Sequence, residues 1–160
     1  MDNFAQLLQT RLTVASLVVA EAGAWLNFCS AIEDGNPRYW GSAEVEERIC
    51  PPAMVSAWAR PQPWRPGEQE AANMRALELH HRLKEFFGYP YGVVEDIELD
   101  LDVAVRAGDR LTAEQRIVEC GEEEARRLGT GRRWIIEVAY SNQKGELVAQ
   151  ERVRLFAYRA

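Results

Sequence analysis

The stretch from Asp96 to Arg106 constrains the fold of this chain more than any other part of the sequence. Aliphatic residues occupy every second position there, namely Ile97, Leu99, Leu101, Val103 and Val105, and most of the positions between them are charged. A period of two is typical of a β-strand with one buried face. A strand of this length also leaves an edge that a second sheet would cover.

The residues that follow predict an antiparallel sheet. Ala107 to Arg110 supplies a turn, and Leu111 to Glu119 resumes extended structure before an acidic loop and the glycines Gly129 and Gly131. Two further strands, Trp134 to Tyr140 and Leu147 to Tyr158, are joined by a short polar loop that ends in glycine. The second half of the chain is therefore expected to be a meander of hairpins.

The first half of the chain is predicted to be mainly helical. Apolar residues recur every three or four positions from Ala20 to Ile32, and the turn residues from Glu33 to Pro37 end that helix near Asp34. Ala53 to Ala59 is the best candidate for a central helix. Other segments have simpler predictions: a strand at Leu12 to Val19, a short helix at Ser42 to Arg48, an irregular loop at Arg60 to Gly67 and a polar helical excursion at Glu68 to Phe87. Helices followed by an antiparallel meander predict an α+β fold, with a sheet wrapped around one helix.

Composition sets limits on function. The 160 residues suit one domain spanning 1–160, and a net charge of -6 with dispersed arginines argues against nucleic acid as a partner. The apolar run from Leu12 to Ala20 is too short to span a membrane. Cys29, Cys50 and Cys120 have no metal-ligand spacing, so reduced thiols in the cytoplasm are expected and no metal is predicted. His80 and His81 are interpreted as solvated surface residues, with a role at a subunit junction as the alternative.

Several motifs resemble the MaoC-like enoyl-CoA hydratases and dehydratases in their order and separation. They are FCSAIEDGNPRY at 28–39, ICPPAM at 49–54, DVAVRAGDRLT at 102–112 and the closing hairpin at 128–158. The resemblance covers nearly the whole chain. It implies a hot-dog fold, in which an antiparallel sheet curls around one long helix, and an assembly in which two such sheets become continuous.

The resemblance also implies a site for adding water to an enoyl thioester. In the family an aspartate and a histidine handle the protons, and a backbone amide at the start of the central helix binds the thioester oxygen. Asp34 and Asn36 match the family motif, and Tyr39 stands where the family has histidine. Asp34 is either half of a working site or a turn residue, and Tyr39 is expected to be structural. The amides of Ala53 and Met54 are the first donors available after Pro51 and Pro52.

These features predict a hydro-lyase subunit that acts on an acyl-CoA or acyl-carrier thioester without a cofactor. Because Tyr39 breaks the catalytic pair, a MaoC-like partner is expected to supply the complete aspartate and histidine. The stretch ICPPAMVSAW, which includes Trp58, resembles subunits for bulky, steroid-like CoA thioesters. The alternatives are a homo-oligomeric hydratase that uses Asp34, a hot-dog thioesterase, and a non-catalytic acyl-CoA-binding module. Six aromatic residues either line an acyl tunnel or pack in the core: Trp58, Trp64, Phe86, Phe87, Tyr89 and Tyr91.

Overall fold

A computed structural model describes residues 3–42, 47–61, 66–67 and 76–160. Its helices are α1 (Phe4–Gln9), α2 (Ala22–Ala31), α3 (Pro37–Trp40), a 3-10 helix (Pro52–Ala59) and α4 (Glu78–Phe87). Its strands are β1 (Arg11–Ala15), β2 (Tyr91–Leu101), β3 (Thr112–Arg126), β4 (Gly129–Ser141) and β5 (Leu147–Arg159). The predicted α+β order is confirmed. The predicted helix at Ser42 to Arg48 lies largely outside the described residues, as do Trp64 and the first part of the excursion from Glu68.

All the strands form one antiparallel sheet in the order β1-β3-β4-β5-β2. The alternating stretch does form a strand, but that strand runs from Tyr91 to Leu101 and ends before Val103. Past this point the backbone leaves the sheet, and the carbonyl of Val105 accepts a hydrogen bond from the Cys50 amide, at 2.8 Å. β2 is an edge strand, as the sequence predicted.

The acidic loop predicted after Glu119 is wrong. Residues 120–126 continue β3, which pairs with β4 as far as Arg126↔Gly129. Two irregularities in register, at Ile117/Glu119 and Cys120/Glu123, let the strand bend while it keeps its pairing. Position 131 in β4 requires glycine, because a Cβ atom there would lie 2.0 Å from the carbonyl oxygen of Ala157.

The inner face of the sheet carries the core. The 3-10 helix buries Val55, Trp58 and Ala59 against this face, in the place predicted for the central helix. α4 also belongs to this layer, since Leu79 and Leu83 are fully buried one helical turn apart. The helix predicted for this excursion is therefore present at Glu78–Phe87, and its apolar residues pack into the core.

His80 is likewise buried, with 8% of its surface exposed. Its Nδ1 accepts a hydrogen bond from the indole N–H of Trp134, at 3.1 Å, and Trp134 is completely buried. A buried indole N–H needs an acceptor, and the histidine ring provides one within the core. The interpretation of His80 as a surface residue is thus corrected.

Candidate functional site

The turn between α2 and α3 holds Asp34 and Asn36 in a local hydrogen-bond network. The Asp34 Oδ1 accepts from the Asn36 amide, and the Asn36 Oδ1 accepts from the Arg38 amide, both at 3.0 Å. Asn36 is therefore the N-cap of α3, and Pro37 follows at a position where it costs no hydrogen bond. These contacts account for the Asp-x-Asn-Pro sequence as a turn. Within the described residues, the second carboxylate oxygen of Asp34 has no hydrogen-bond partner.

The fold brings this turn beside the segment that leads into the 3-10 helix. The Ile49 amide donates to the Arg38 carbonyl at 3.1 Å, so the motif turn and the helix start are neighbours. The carbonyl of Tyr39 accepts from the indole N–H of Trp25, at 3.3 Å. Trp25 is completely buried, so Tyr39 helps to anchor the turn on the core through its backbone.

The residues at the helix start have unequal roles. The Met54 amide donates to the Pro51 carbonyl at 2.9 Å, and this bond closes the first turn. The Ala53 side chain is exposed. Trp58 is buried, and its indole N–H contacts the Cys50 sulfur at 3.0 Å. Burial raises the pKa of the Cys50 thiol to about 11, so this sulfur is protonated at neutral pH and is a poor nucleophile.

A cavity of about 240 Å³ lies between the end of the 3-10 helix and the inner face of the sheet. Much of its lining is aliphatic, with contributions from Val94, Ile97, Val138 and Val153. Polar side chains from three neighbouring strands also line it: Gln115, Tyr140 and Glu151. The cavity can hold an apolar ligand and offers that ligand a few hydrogen-bonding groups, which is the usual chemistry of a small-molecule site.

Sequence reasoning missed these polar residues, although a signal was present. Ala149, Glu151, Val153 and Leu155 occupy alternate positions of β5 and share one face, and Glu151 is the only charged residue among them. A carboxylate on an otherwise apolar face of a strand indicates a specific partner or a ligand. Its partner is Tyr140, whose hydroxyl donates to the Glu151 Oε2 at 2.5 Å.

Among the described residues, the aromatic side chains considered for an acyl tunnel do not form one wall. Phe87 and Tyr89 stack against Trp134 with ring centroids 6.4 and 6.5 Å from it, as core residues do. Tyr91 lies over Tyr158, with ring centroids 5.5 Å apart, on the outer face of the sheet. No group of three or more potential metal ligands occurs among the described residues. The described helices have ten residues or fewer, too few for any of them to cross a bilayer.

Comparison with known proteins defines the family. The model of the FAS1-like dehydratase domain region matches residues 15–151 of this chain. A curated relative from Thermomonospora curvata, a probable enoyl-CoA hydratase alpha subunit, is 28% identical over an alignment 146 positions long, which covers 83% of this chain and 43% of the relative. This chain therefore spans less than half the length of that relative.

Solved structures agree on the fold. The ChsH1–ChsH2 complex of Mycobacterium tuberculosis contains a chain with a TM-score of 0.75 at 17% identity, over 96% of this chain and 88% of that one. The HadBC complex of the same organism, a 3R-hydroxyacyl-ACP dehydratase, gives a TM-score of 0.56 at 17% identity, over 91% and 95% of the two chains.

The sheet wrapped around the helical layer is thus a hot-dog fold, as the sequence predicted. The chain belongs to the FAS1-like dehydratase domain family. The resemblance to the MaoC-like dehydratases is confirmed.

Proposed function

We propose that this chain is a hot-dog subunit of an enoyl-CoA hydratase, or 3-hydroxyacyl thioester dehydratase, whose partner supplies the complete aspartate and histidine pair. The observation that carries the proposal is the motif turn itself. One Asp34 carboxylate oxygen is engaged by the Asn36 amide, and by the resemblance to the family motif Tyr39 stands where the family has histidine. The turn lies beside the segment that leads into the 3-10 helix, and it carries a phenol rather than an imidazole at Tyr39.

The chemistry explains why that position matters. Addition of water across the double bond requires removal of a proton from water and delivery of one to the α-carbon, and each positioned acid or base contributes roughly 10²–10⁴-fold. Histidine exchanges protons near neutral pH, whereas the reference pKa of a tyrosine phenol is about 10. A chain with tyrosine at this position lacks the histidine of the catalytic pair, which is the group suited to proton exchange near neutral pH.

Two of the compared proteins support a heteromeric assembly. One is described as an alpha subunit, and another is a complex of two named components. β2 lies at the edge of the sheet and exposes Val94, Ile97 and Leu101, each more than half exposed. A second hot-dog sheet would cover both these side chains and the free backbone groups of the edge.

The inner-face cavity supports an acyl thioester as the ligand, because it places aliphatic surface beside the 3-10 helix. The carrier is either CoA or an acyl carrier protein, and a bulky, steroid-like acyl group is the finer proposal. The cysteines are free, and we place the reaction in the cytoplasm.

A second candidate, a homo-oligomeric hydratase that uses Asp34, is favoured by one observation. The outer carboxylate oxygen of Asp34 has no partner within the described part of the chain, and the side chain is half-buried. That oxygen could accept a proton from water in the absence of histidine.

The test is hydration of a series of enoyl-CoA thioesters, followed by loss of the absorbance of the conjugated thioester. The purified chain is assayed alone and together with the hot-dog protein that co-purifies with it. We expect turnover only in the mixture, and expect it to survive Asp34→Asn in this chain. The matched control is Asp100→Asn, an exposed carboxylate of β2 without an ion pair within the described residues.

Other outcomes would identify the alternatives. Turnover by the chain alone that is abolished by Asp34→Asn, but not by Asp100→Asn, would establish the homo-oligomeric enzyme. Release of free thiol without hydration would indicate a thioesterase. Saturable binding of acyl-CoA with no reaction in either preparation would indicate a binding module, and would overturn the hydratase proposal.

A further inference from the structure

The inner-face cavity contains polar chemistry that water addition at the thioester end does not use. Tyr140 and Gln115 are 4% and 3% exposed, and Glu151 is half-buried, so these groups are largely withdrawn from bulk water. They lie on β4, β3 and β5 among aliphatic neighbours. Burying such groups costs free energy unless they are hydrogen-bonded, so their unused donors and acceptors indicate what a ligand must offer.

The strand register places these groups around one spot. Gln115 pairs with Val138 on β4, and Val138 pairs with Glu151 on β5, so Gln115 and Glu151 stand on either side of Val138. Adjacent strands are about 4.8 Å apart, which sets the two backbones roughly 10 Å from each other. Both side chains line the same cavity, so a polar group bound between the two strands can contact both.

Each side chain has hydrogen-bonding capacity to spare. The Gln115 Oε1 accepts from the Leu79 amide at 3.4 Å, and its Nε2 has no partner within the described residues. The Glu151 Oε2 accepts from Tyr140, and Oε1 is without a hydrogen-bond partner in the same part of the chain. The site therefore offers a donor on one side and an acceptor on the other.

We propose that this cavity binds an acyl tail that carries a hydroxyl group, which donates to Glu151 and accepts from Gln115. The proposal rests on the proposed function and specifies its substrate class. A hydroxyl is the small group that satisfies both sides at once, whereas a methyl terminus satisfies neither. Arg60 also lines the cavity, and its positive charge disfavours a cationic tail that would otherwise pair with Glu151.

Tyr140 has a positioning role in this arrangement. Burial raises the pKa of its hydroxyl, so Tyr140 stays protonated and keeps donating to Glu151 at every physiological pH. This bond fixes one carboxylate oxygen and directs the other toward the ligand. Tyr140 and Ala149 are directly paired across β4 and β5, so the sheet register holds the tyrosine next to Glu151.

The test compares the binding of decanoyl-CoA with that of hydroxydecanoyl-CoA probes that carry the hydroxyl at the ω or the ω-1 carbon, by titration calorimetry on the purified full chain. We expect at least one hydroxylated probe to bind about ten-fold more tightly than the plain probe, the usual effect of satisfying a buried hydrogen-bonding pair. An ω-amino probe is expected to bind no better than the plain one.

Two independent variants locate the preference. Gln115→Leu removes the donor, and the double variant Tyr140→Phe/Glu151→Met removes the acceptor together with its partner, which avoids leaving one of them unpaired. Each should reduce the preference to less than about three-fold while decanoyl-CoA still binds. Gln150→Leu, on the opposite face of β5, is the matched control and should keep the full preference.

Equal binding of all probes by the unmodified chain, absence of binding, or a preference that survives both variants would overturn the proposal. These failures can be distinguished from failure of the hydratase proposal. Hydration of plain enoyl-CoA with equal probe binding would refute only the hydroxyl site. A clear hydroxyl preference without hydration in any preparation would refute only the enzymatic role.

Discussion

The two faces of the sheet are built by different physical means, and β4 shows both. Trp134, Ile136 and Val138 point inward and are at most 3% exposed, in contact with the helical layer. Arg133, Ile135 and Glu137 alternate with them and point outward. The inner face is closed by apolar packing, whereas the outer face is closed by ion pairs laid across neighbouring strands.

Each face contains a carboxylate that is buried or half-buried. On the outer face Glu137 is only 2% exposed, and it lies between the guanidinium groups of Arg116 and Arg152. On the inner face the pair formed by Tyr140 and Glu151 lies in an apolar cavity. The outer carboxylate is paired with two cations, so its role is to stabilise the fold. The inner one keeps an acceptor free and therefore indicates a ligand.

The largest effect should come from removing inner packing. Ile136→Ala, at a site with no exposed surface, is expected to lower the free energy of unfolding by about 2–5 kcal/mol, because it leaves a cavity among core residues. Ile135→Ala, the adjacent residue on the outer face, is the matched control and should cost roughly 1 kcal/mol. Urea denaturation measures both. Equal losses would mean that the faces do not differ in packing.

The next effect concerns the outer face. Glu137→Gln keeps the shape of the side chain but removes the charge that holds Arg116 and Arg152, and should cost roughly 2 kcal/mol, the scale of hydrogen bonds to charged groups. Glu114→Gln breaks the exposed pair with Arg11, at 2.8 Å, and should cost at most about 0.5 kcal/mol. A loss for Glu137→Gln as small as that of the control would show that the buried pair adds no stability.

The pH dependence of this difference follows from the Glu137 carboxyl. Burial alone would raise its pKa, but hydrogen bonds and charge from Arg152 and Arg116 hold the pKa below the usual value of 4.5. A carboxyl with a lowered folded-state pKa contributes stability above its unfolded pKa and loses it in acid. The gap between the unmodified chain and Glu137→Gln should be constant from about pH 6 to 8 and shrink below about pH 4.5. A gap that widens in acid would contradict this.

The sequence predicted those parts of the fold that depend on local pattern. Alternation gave β2, β4 and β5, and turn chemistry gave the Asp34 to Pro37 turn with its capping bonds. It misplaced the end of β2, because the bond between Val105 and Cys50 joins residues far apart in the chain. The burial of α4 was missed because its polar residues outnumber the stripe formed by Leu79 and Leu83.

The residues of the candidate site also differ in whether local sequence pattern predicts them. Asp34 and Asn36 were predicted as site residues because a local motif carries them. Gln115, Tyr140 and Glu151 come together only when three strands pair in a particular register, and no short motif encodes that register. The sequence shows that Glu151 is a charged residue on an otherwise apolar face of a strand, but it does not show that Tyr140 is its partner.

The smallest change in the free energy of unfolding of the isolated chain should come from substituting an inner-face residue that remains exposed. Ile97 is 55% exposed although it pairs with the buried Val153. Ile97→Thr keeps a β-branched residue in the edge strand and should change the free energy of unfolding by less than about 0.5 kcal/mol. The measurement is urea denaturation at two protein concentrations. A loss above about 1 kcal/mol that depends on concentration would mean that a second copy of this chain already covers β2, because only association makes stability depend on concentration. That result would favour the homo-oligomeric hydratase over the heteromeric one.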